Sequence, residues 1–413
     1  MHREKAAKTV AETQASTPAK TPRALRSIEI FVGAGGLGLG LAQTGFRHEL
    51  VVDQAAEACR TIRHNQDMRH PLVDGWRVVE ADARLLDLSG VAPEPDLLAG
   101  GVPCQPWSIG GKHAGKEDER DMWPTAVRVV RELAPRAFVF ENVPAMATMH
   151  ADYFAYVQAM LANPGNQRRK GEEASSHATR LVADAKGRSG LHYRVGYAVM
   201  EARDYGTAQC RRRLFTVGLR SETTTAWSAP QPTHSSAELF QDQWVTGRYW
   251  SSRGLRPPVP TARTTAAVRT MGSNSQPFDL FQTALPRAPH RTMRDAIGDM
   301  PEPRAVAPHN LPGHIRATRQ AKAYGTRHAG AGLDEPAKTL RAGVHGVSGG
   351  SSMLIGDDGL YRHFTVREAA RLQDFPDDYE IWGSWSAGLR QLGNAVPCKL
   401  ASAVGSTLAL ALS

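Results

Sequence analysis

The stretch from Ile28 to Leu41 most limits what this chain can fold into. Ile28-Glu29-Ile30-Phe31 is a short apolar run of strand type that passes directly into Val32-Gly33-Ala34-Gly35-Gly36-Leu37-Gly38, after which Leu37 and Leu41 fall at helical spacing. Strand, glycine-rich turn and helix in that order form the opening unit of a doubly wound α/β sheet. Gly33, Gly35 and Gly38 satisfy G-x-G-x-x-G, and Asp53 follows Gly33 by 20 residues (53 − 33) at the end of a second strand, where a carboxylate binds ribose hydroxyls. A nicotinamide or flavin cofactor explains that much equally well, and a tight turn without a ligand explains the glycines alone.

Two further strand ends carry reactive groups. Asp96-Leu97-Leu98-Ala99 runs into Gly100-Gly101-Val102-Pro103-Cys104-Gln105-Pro106, so two glycines and two prolines hold Cys104 on a stiff, exposed turn. A single Cys is often a small buried hydrophobe, but that reading leaves the rigid loop unexplained, whereas a nucleophile requires such presentation. Ala137-Phe138-Val139-Phe140, wholly apolar, delivers Glu141-Asn142-Val143-Pro144. Glu141 is either a first-turn acid of a helix or a group with a chemical task. Ligands of open α/β sheets bind beyond the carboxyl ends of the strands, where cofactor turn, thiol and acid converge.

Around this centre the chain divides by texture. Residues 1–26 lack aromatic residues and apolar periodicity and read as a disordered tail. Residues 27–220 alternate apolar runs with helical patterns such as Ala126, Val129, Val130 and Leu133, interrupted by a polar surface insertion at 163–190. Residues 221–360 turn to Pro, Gly, Ser, Thr and Arg, as in a loop-rich second domain. Residues 361–413 return to order: Thr365-Val-Arg-Glu368 is a capping box before a helix at 369–373, and an apolar helix from about Cys398 packs back on the first domain. The four cysteines show no metal-ligand spacing, no apolar run reaches 18 residues, and a net charge of +9 favours a polyanionic partner.

With these residues in place, the sequence closely resembles the DNA cytosine-5 methyltransferase family. Phe31–Gly40 is similar to its cofactor motif, Pro103-Cys104-Gln105 to its nucleophile loop and Glu141-Asn142-Val143 to its acid motif. Gln209-Cys210-Arg211-Arg212-Arg213 matches Gln-x-Arg-x-Arg, Arg362–Pro376 the Thr-x-Arg-Glu-x-x-Arg-Leu-Gln-x-Phe-Pro segment, and Gly393-Asn394-Ala395-Val396-Pro397 the final motif. Six motifs in the family's order overturn the nicotinamide reading. Val102, Trp107 and Cys398 depart from the usual Pro, Phe and Pro, and none of these removes a reacting group.

The resemblance implies a doubly wound class I S-adenosylmethionine-dependent methyltransferase sheet with a second, loop-rich target-recognition domain. It implies that Phe31 stacks on the cofactor's adenine, Asp53 binds the ribose and Asp82 the adenine amine. Gly33, Gly35, Gly36, Leu37 and Pro103 line the cofactor, and Asn394 and Val396 close the site. Cys104 attacks C6 of a flipped-out cytosine, Glu141 serves N3 and the exocyclic amine, and Arg213 with Arg211 holds the base carbonyl or its phosphate. Gln105, Ser108, Asn142 and Gln209 border the substrate. The expected partner is double-stranded DNA, with no metal and no membrane, for a monomeric, cytoplasmic, nucleoid-associated bacterial modification enzyme beside a separately acting restriction endonuclease. An RNA (tRNA) cytosine methyltransferase and a catalytically inactive DNA-binding regulator are the competing readings.

Overall fold

The computed structural model describes residues 24–103, 121–184, 190–273, 286–308, 310–318, 321, 330–342 and 351–413. Cys104, Gln105 and Ser108 lie outside the described residues.

Seven strands form one sheet: β1 (Leu25–Ile30), β2 (Phe46–Asp53), β3 (Arg77–Glu80), β4 (Leu97–Gly101), β5 (Ala137–Asn142), β6 (Tyr193–Glu201) and β7 (Arg212–Arg220). Their order is β3-β2-β1-β4-β5-β7-β6, with β7 antiparallel to both neighbours and the first five strands parallel. The chain winds outward from β1 to β3, then crosses back to β4, so the strand order reverses between β1 and β4 and leaves a crevice above their carboxyl ends.

The central strands are apolar on both faces because helices cover both. Ile28, Ile30, Leu98, Phe138, Phe140 and Leu214 point into one core with helices Trp123–Leu133 and Ala151–Ala162, where the expected stripe Ala126, Val129, Val130 and Leu133 is sealed. Their alternating neighbours Leu97, Ala99, Ala137, Val139, Phe215 and Val217 pack on the closing helix Cys398–Leu412. That helix lies against helix Gly36–Ala42 so closely that a Cβ at Gly40 would sit 2.4 Å from the Cys398 carbonyl oxygen. The end of the chain is thereby built into the cofactor turn.

Several local expectations are adjusted. β1 begins at Leu25, inside the stretch read as a tail. The Thr365–Glu368 capping box is present, and because Thr365 is the cap itself, the helix starts at Val366 and runs to Arg371. The 163–190 insertion is more than a surface loop: its helix Ala174–Asp184 sends Leu181 into the core and buries His177 between the Tyr156 hydroxyl (2.7 Å) and the Asn166 carbonyl (2.8 Å). Beyond β7 the described elements are short, with a small apolar cluster of Leu239, Tyr249 and Trp250. A three-stranded sheet of Ala331–Gly332, Met353–Ile355 and Tyr361–His363 straddles residue 360.

Candidate active site at the carboxyl ends of β1, β4 and β5

Gly101 is the geometric centre of the site. At the end of β4 it pairs with Glu141 of β5, and a Cβ placed on it would lie 3.6 Å from the Glu141 Oε2 and 3.6 Å from the Phe31 carbonyl oxygen. The cofactor turn and the acid thus meet on either side of a residue that leads, through Val102 and half-buried Pro103, to position 104. Asn142 does not offer its amide to a substrate: Nδ2 donates to the Val102 carbonyl (3.1 Å) and Oδ1 accepts from the Val143 N–H (2.8 Å). It braces the approach to Cys104 instead.

Glu141 is 7% exposed and its Oε1 stands 2.6 Å from Arg213 Nε, on the antiparallel neighbour β7. Burial pushes the Glu141 carboxyl above the usual glutamate range, and the charges of Arg213 and Arg211 oppose that shift without cancelling it. The result is a carboxyl that keeps its proton to higher pH while remaining oriented by a guanidinium.

Arg211 and Gln209 occupy different places from those expected. The Arg211 guanidinium is fully buried and donates to three main-chain carbonyls, Leu340 (2.8 Å), Gly393 (2.7 Å) and Ala395 (2.7 Å). Gln209 is equally buried, donating to the Leu372 carbonyl (3.1 Å) and accepting from the Leu340 N–H (3.2 Å). Fully buried and bonded to main-chain groups, with Arg211 Nε left without a partner among the described residues, both residues staple the start of β7 to distant segments.

On the cofactor side the turn after β1 is built from left-handed backbone. Phe31 has φ +58, a costly conformation for an aromatic residue, and Gly33 and Gly35 have φ +56 and +92. Asp53, at the end of β2, accepts from the Gly33 N–H (2.8 Å) and the Ala55 N–H (2.8 Å), fixing the carboxylate and leaving further lone pairs for a diol. Burial raises its pKa and those backbone N–H groups oppose the rise. Asp82, just beyond β3, caps the turn Ala83–Leu85 and is paired with Arg84, which holds its carboxyl below the usual range. Phe31, Asp53 and Asp82 therefore stand at the carboxyl ends of three adjacent strands, β1, β2 and β3.

Two other residues expected at the cofactor bury their side chains. Leu37 and Val396 bury their side chains in the core, so only main-chain atoms of either remain for a ligand. Gly36 packs under the final motif: a Cβ there would be 2.3 Å from the Val396 carbonyl oxygen. Asn394 is exposed at the end of helix Trp385–Asn394. Sequence reasoning missed Tyr379, whose buried hydroxyl donates to the Ala34 carbonyl (2.9 Å) inside the turn. It also missed Glu29, buried 3.0 Å from His48 and placed so that a Cβ at Gly38 would clash with it at 2.5 Å. An acid between the two buried isoleucines Ile28 and Ile30 is the available signal for Glu29. Gly38 serves helix-on-strand packing and not a phosphate.

Three other thiols are described, and none is activated. Cys59 and Cys398 are buried and Cys210 is half-buried beside Arg203; burial raises all three, Cys59 to about 11.

Residues 25–165 and 187–409 match the family model for C-5 cytosine-specific DNA methylase, and the residues between the two blocks fall in the insertion. Among curated proteins, the Type II methyltransferase M.NgoMIV of Neisseria gonorrhoeae is 28% identical over 94% of this chain and 97% of its own. M.XorII of Xanthomonas oryzae, also a Type II methyltransferase, is 29% identical over 93% of this chain and 84% of its own. The crystal structure of S. pombe Dnmt2 methyltransferase shares the fold, with a TM-score of 0.54 at 16% identity over 93% of this chain and 98% of that one.

Proposed function

The chain belongs to the C-5 cytosine-specific DNA methylase family and is a DNA (cytosine-5) methyltransferase, and from that premise we propose that Cys104, Glu141 and Arg213 carry its chemistry on a cytosine flipped out of a specific duplex sequence. The observation that carries this reading is the meeting of three strand ends at Gly101, which sets the acid against the cofactor turn at the entry to the nucleophile loop.

Cytosine C5 is a weak nucleophile until a nucleophile adds at C6. The thiolate of Cys104 forms that C–S bond and converts the ring to an enamine, while Glu141, whose carboxyl burial pushes above the usual glutamate range, hydrogen-bonds N3 as charge builds there. Arg213 orients Glu141 and has donors left for the base carbonyl. Family membership implies S-adenosylmethionine, which supplies the electrophilic methyl group. Asp53 would hold its ribose and Phe31 its adenine, and the glycines allow close backbone approach. Loss of the C5 proton then restores the C5–C6 double bond and expels the thiolate. Burial, which raises the thiols of Cys59, Cys210 and Cys398, disfavours those three as the nucleophile and supports Cys104 in this role.

C6 is shielded in stacked duplex DNA, so the base must leave the helix at a cost of a few kcal/mol, offset by protein–DNA contacts. The loop-rich domain at 221–360 is the source of those contacts, and residues 27–220 with 361–413 form the catalytic domain. The relatives' designation as Type II methyltransferases supports a modification role, and we take one target sequence, a bacterial cytoplasm, a monomeric state and a separately acting endonuclease as parts of the same proposal. Incubation with labelled S-adenosylmethionine and either duplex DNA or tRNA tests the reading: label in duplex DNA is expected, and label in tRNA alone overturns it.

A further inference from the structure

The loop-rich second domain carries Arg248, Arg253, Arg256, Arg263 and Arg269, and the structure separates them. Arg253 lies over the Tyr249 ring (3.9 Å from its centroid) and pairs with Asp295, and Arg248 pairs with Asp242 at 2.5 Å. Arg256, Arg263 and Arg269 are exposed and have no hydrogen bond or ion pair among the described residues.

These three arginines lie on one continuous segment. Leu255 packs on the cluster of Leu239, Tyr249 and Trp250, which is locked by the Tyr249 hydroxyl on Asp334 (2.8 Å). From there Arg256-Pro257-Pro258-Val259-Pro260 leads stiffly into helix Ala262–Ser273, where the Thr261 hydroxyl accepts from the Thr264 N–H at 3.1 Å. Within that helix Thr264, Thr265, Ala267 and Val268 are half-buried, while Ala262, Arg263, Ala266, Arg269 and Thr270 are exposed. At 100° per residue the exposed set covers an arc of roughly 120°, with Arg269 and Arg263 at its edges and small side chains between them. The two arginines are separated by about 9 Å of helix rise, or roughly three base steps. From 254 to 273 the chain has three arginines and no acid.

We propose that Arg263 and Arg269 are specificity-determining residues that read guanine edges in the major groove of duplex DNA, and that Arg256 contacts a phosphate ahead of them. This rests on the DNA methyltransferase reading above. An arginine can bond both acceptors of a guanine, and the small residues between the pair let the helix approach the base edges. The braced run before the helix limits the ordering cost of binding.

Purified wild type and the variants Arg256→Ala, Arg263→Ala, Arg269→Ala and Arg77→Ala are to be compared on genomic DNA. Arg77 is another exposed arginine, on β3, and serves as the charge control. The readouts are methylation-sensitive sequencing, DNA affinity against salt, and cofactor affinity. Arg263→Ala and Arg269→Ala should each slow methylation of the preferred site on the order of ten- to a hundredfold and relax the preference at one base position. Arg256→Ala should weaken binding at all sequences and reduce the salt slope by about one. Cofactor affinity should be unchanged throughout. Arg263→Ala and Arg269→Ala variants that keep the wild-type site preference, or behave as Arg77→Ala, overturn this inference alone. A wild type that methylates no duplex overturns the underlying function as well.

Discussion

Gly36→Ala tests whether the two ends of the chain truly close one cofactor site. The added methyl would fall 2.3 Å from the Val396 carbonyl oxygen and 3.2 Å from both the Ala395 Cβ and the Phe375 ring. Carbon–oxygen contacts settle near about 3.3 Å, so the final motif must retreat by roughly 1 Å. It cannot retreat freely, because the Ala395 and Gly393 carbonyls are held by Arg211 at 2.7 Å each. Overpacking of a fixed neighbour costs about 1–3 kcal/mol, which in a large domain lowers the melting temperature by roughly 2–4 °C per kcal/mol. Because the collision lies in the cofactor turn, S-adenosylmethionine affinity should fall about tenfold or more alongside stability. Differential scanning fluorimetry and calorimetric titration measure the two effects. Gly165→Ala, with nothing within 4 Å of the new Cβ, is the neutral control. Wild-type melting and cofactor affinity in Gly36→Ala would refute the closure.

Asp53→Ala should weaken S-adenosylmethionine binding by roughly 1.5–3 kcal/mol, the scale of hydrogen bonds to a charged group, and unchanged affinity by calorimetry would remove Asp53 from the cofactor site. Arg211→Met should lower the melting temperature more than Arg211→Lys, since each carbonyl stripped of its donor costs about 1–3 kcal/mol and an ammonium satisfies only part of the set. An Arg211→Met protein of wild-type stability that has lost only DNA binding would instead make Arg211 a substrate contact. For Glu141 the folded carboxyl is raised by burial, so between the ordinary and raised values the folded state holds more protons than the unfolded. Stability from this group is present at low pH and lost as pH rises through the raised value. Turnover should fall through the same window, and Glu141→Gln should flatten both profiles while retaining DNA binding.

The parts of this site visible in the sequence are those set by local chemistry. An apolar run ending in glycines, a thiol between prolines and an acid after four apolar residues each identify a strand's carboxyl end, and parallel pairing carries all three to one edge. Capping at Thr365 is equally local, although the helix runs over 366–371 where the sequence suggests 369–373. What was not legible depends on partners far along the chain. Nothing in Gln-x-Arg-x-Arg distinguishes an arginine that holds three carbonyls from one that pairs with the acid: Arg211 lies just ahead of β7 and Arg213 is its second residue, and the partners of Arg211 lie 129 to 184 residues away. The helix at Ala174–Asp184 is concealed because it commits only Leu181 and His177 fully to the interior while exposing Val182.

The central claim is a covalent bond between Cys104 and C6 of the target cytosine. A duplex carrying 5-fluorocytosine at the methylated position cannot lose its C5 substituent as a proton, so the reaction should stop after methyl transfer. With S-adenosylmethionine present, a denaturation-resistant protein–DNA adduct should form and peptide mapping should place it on Cys104. Cys104→Ser should abolish both adduct and nearly all turnover, because a hydroxyl ionises far less readily than a thiol of pKa ~8.5. An adduct on Cys59, Cys210 or Cys398, or full activity in Cys104→Ser, would contradict the mechanism.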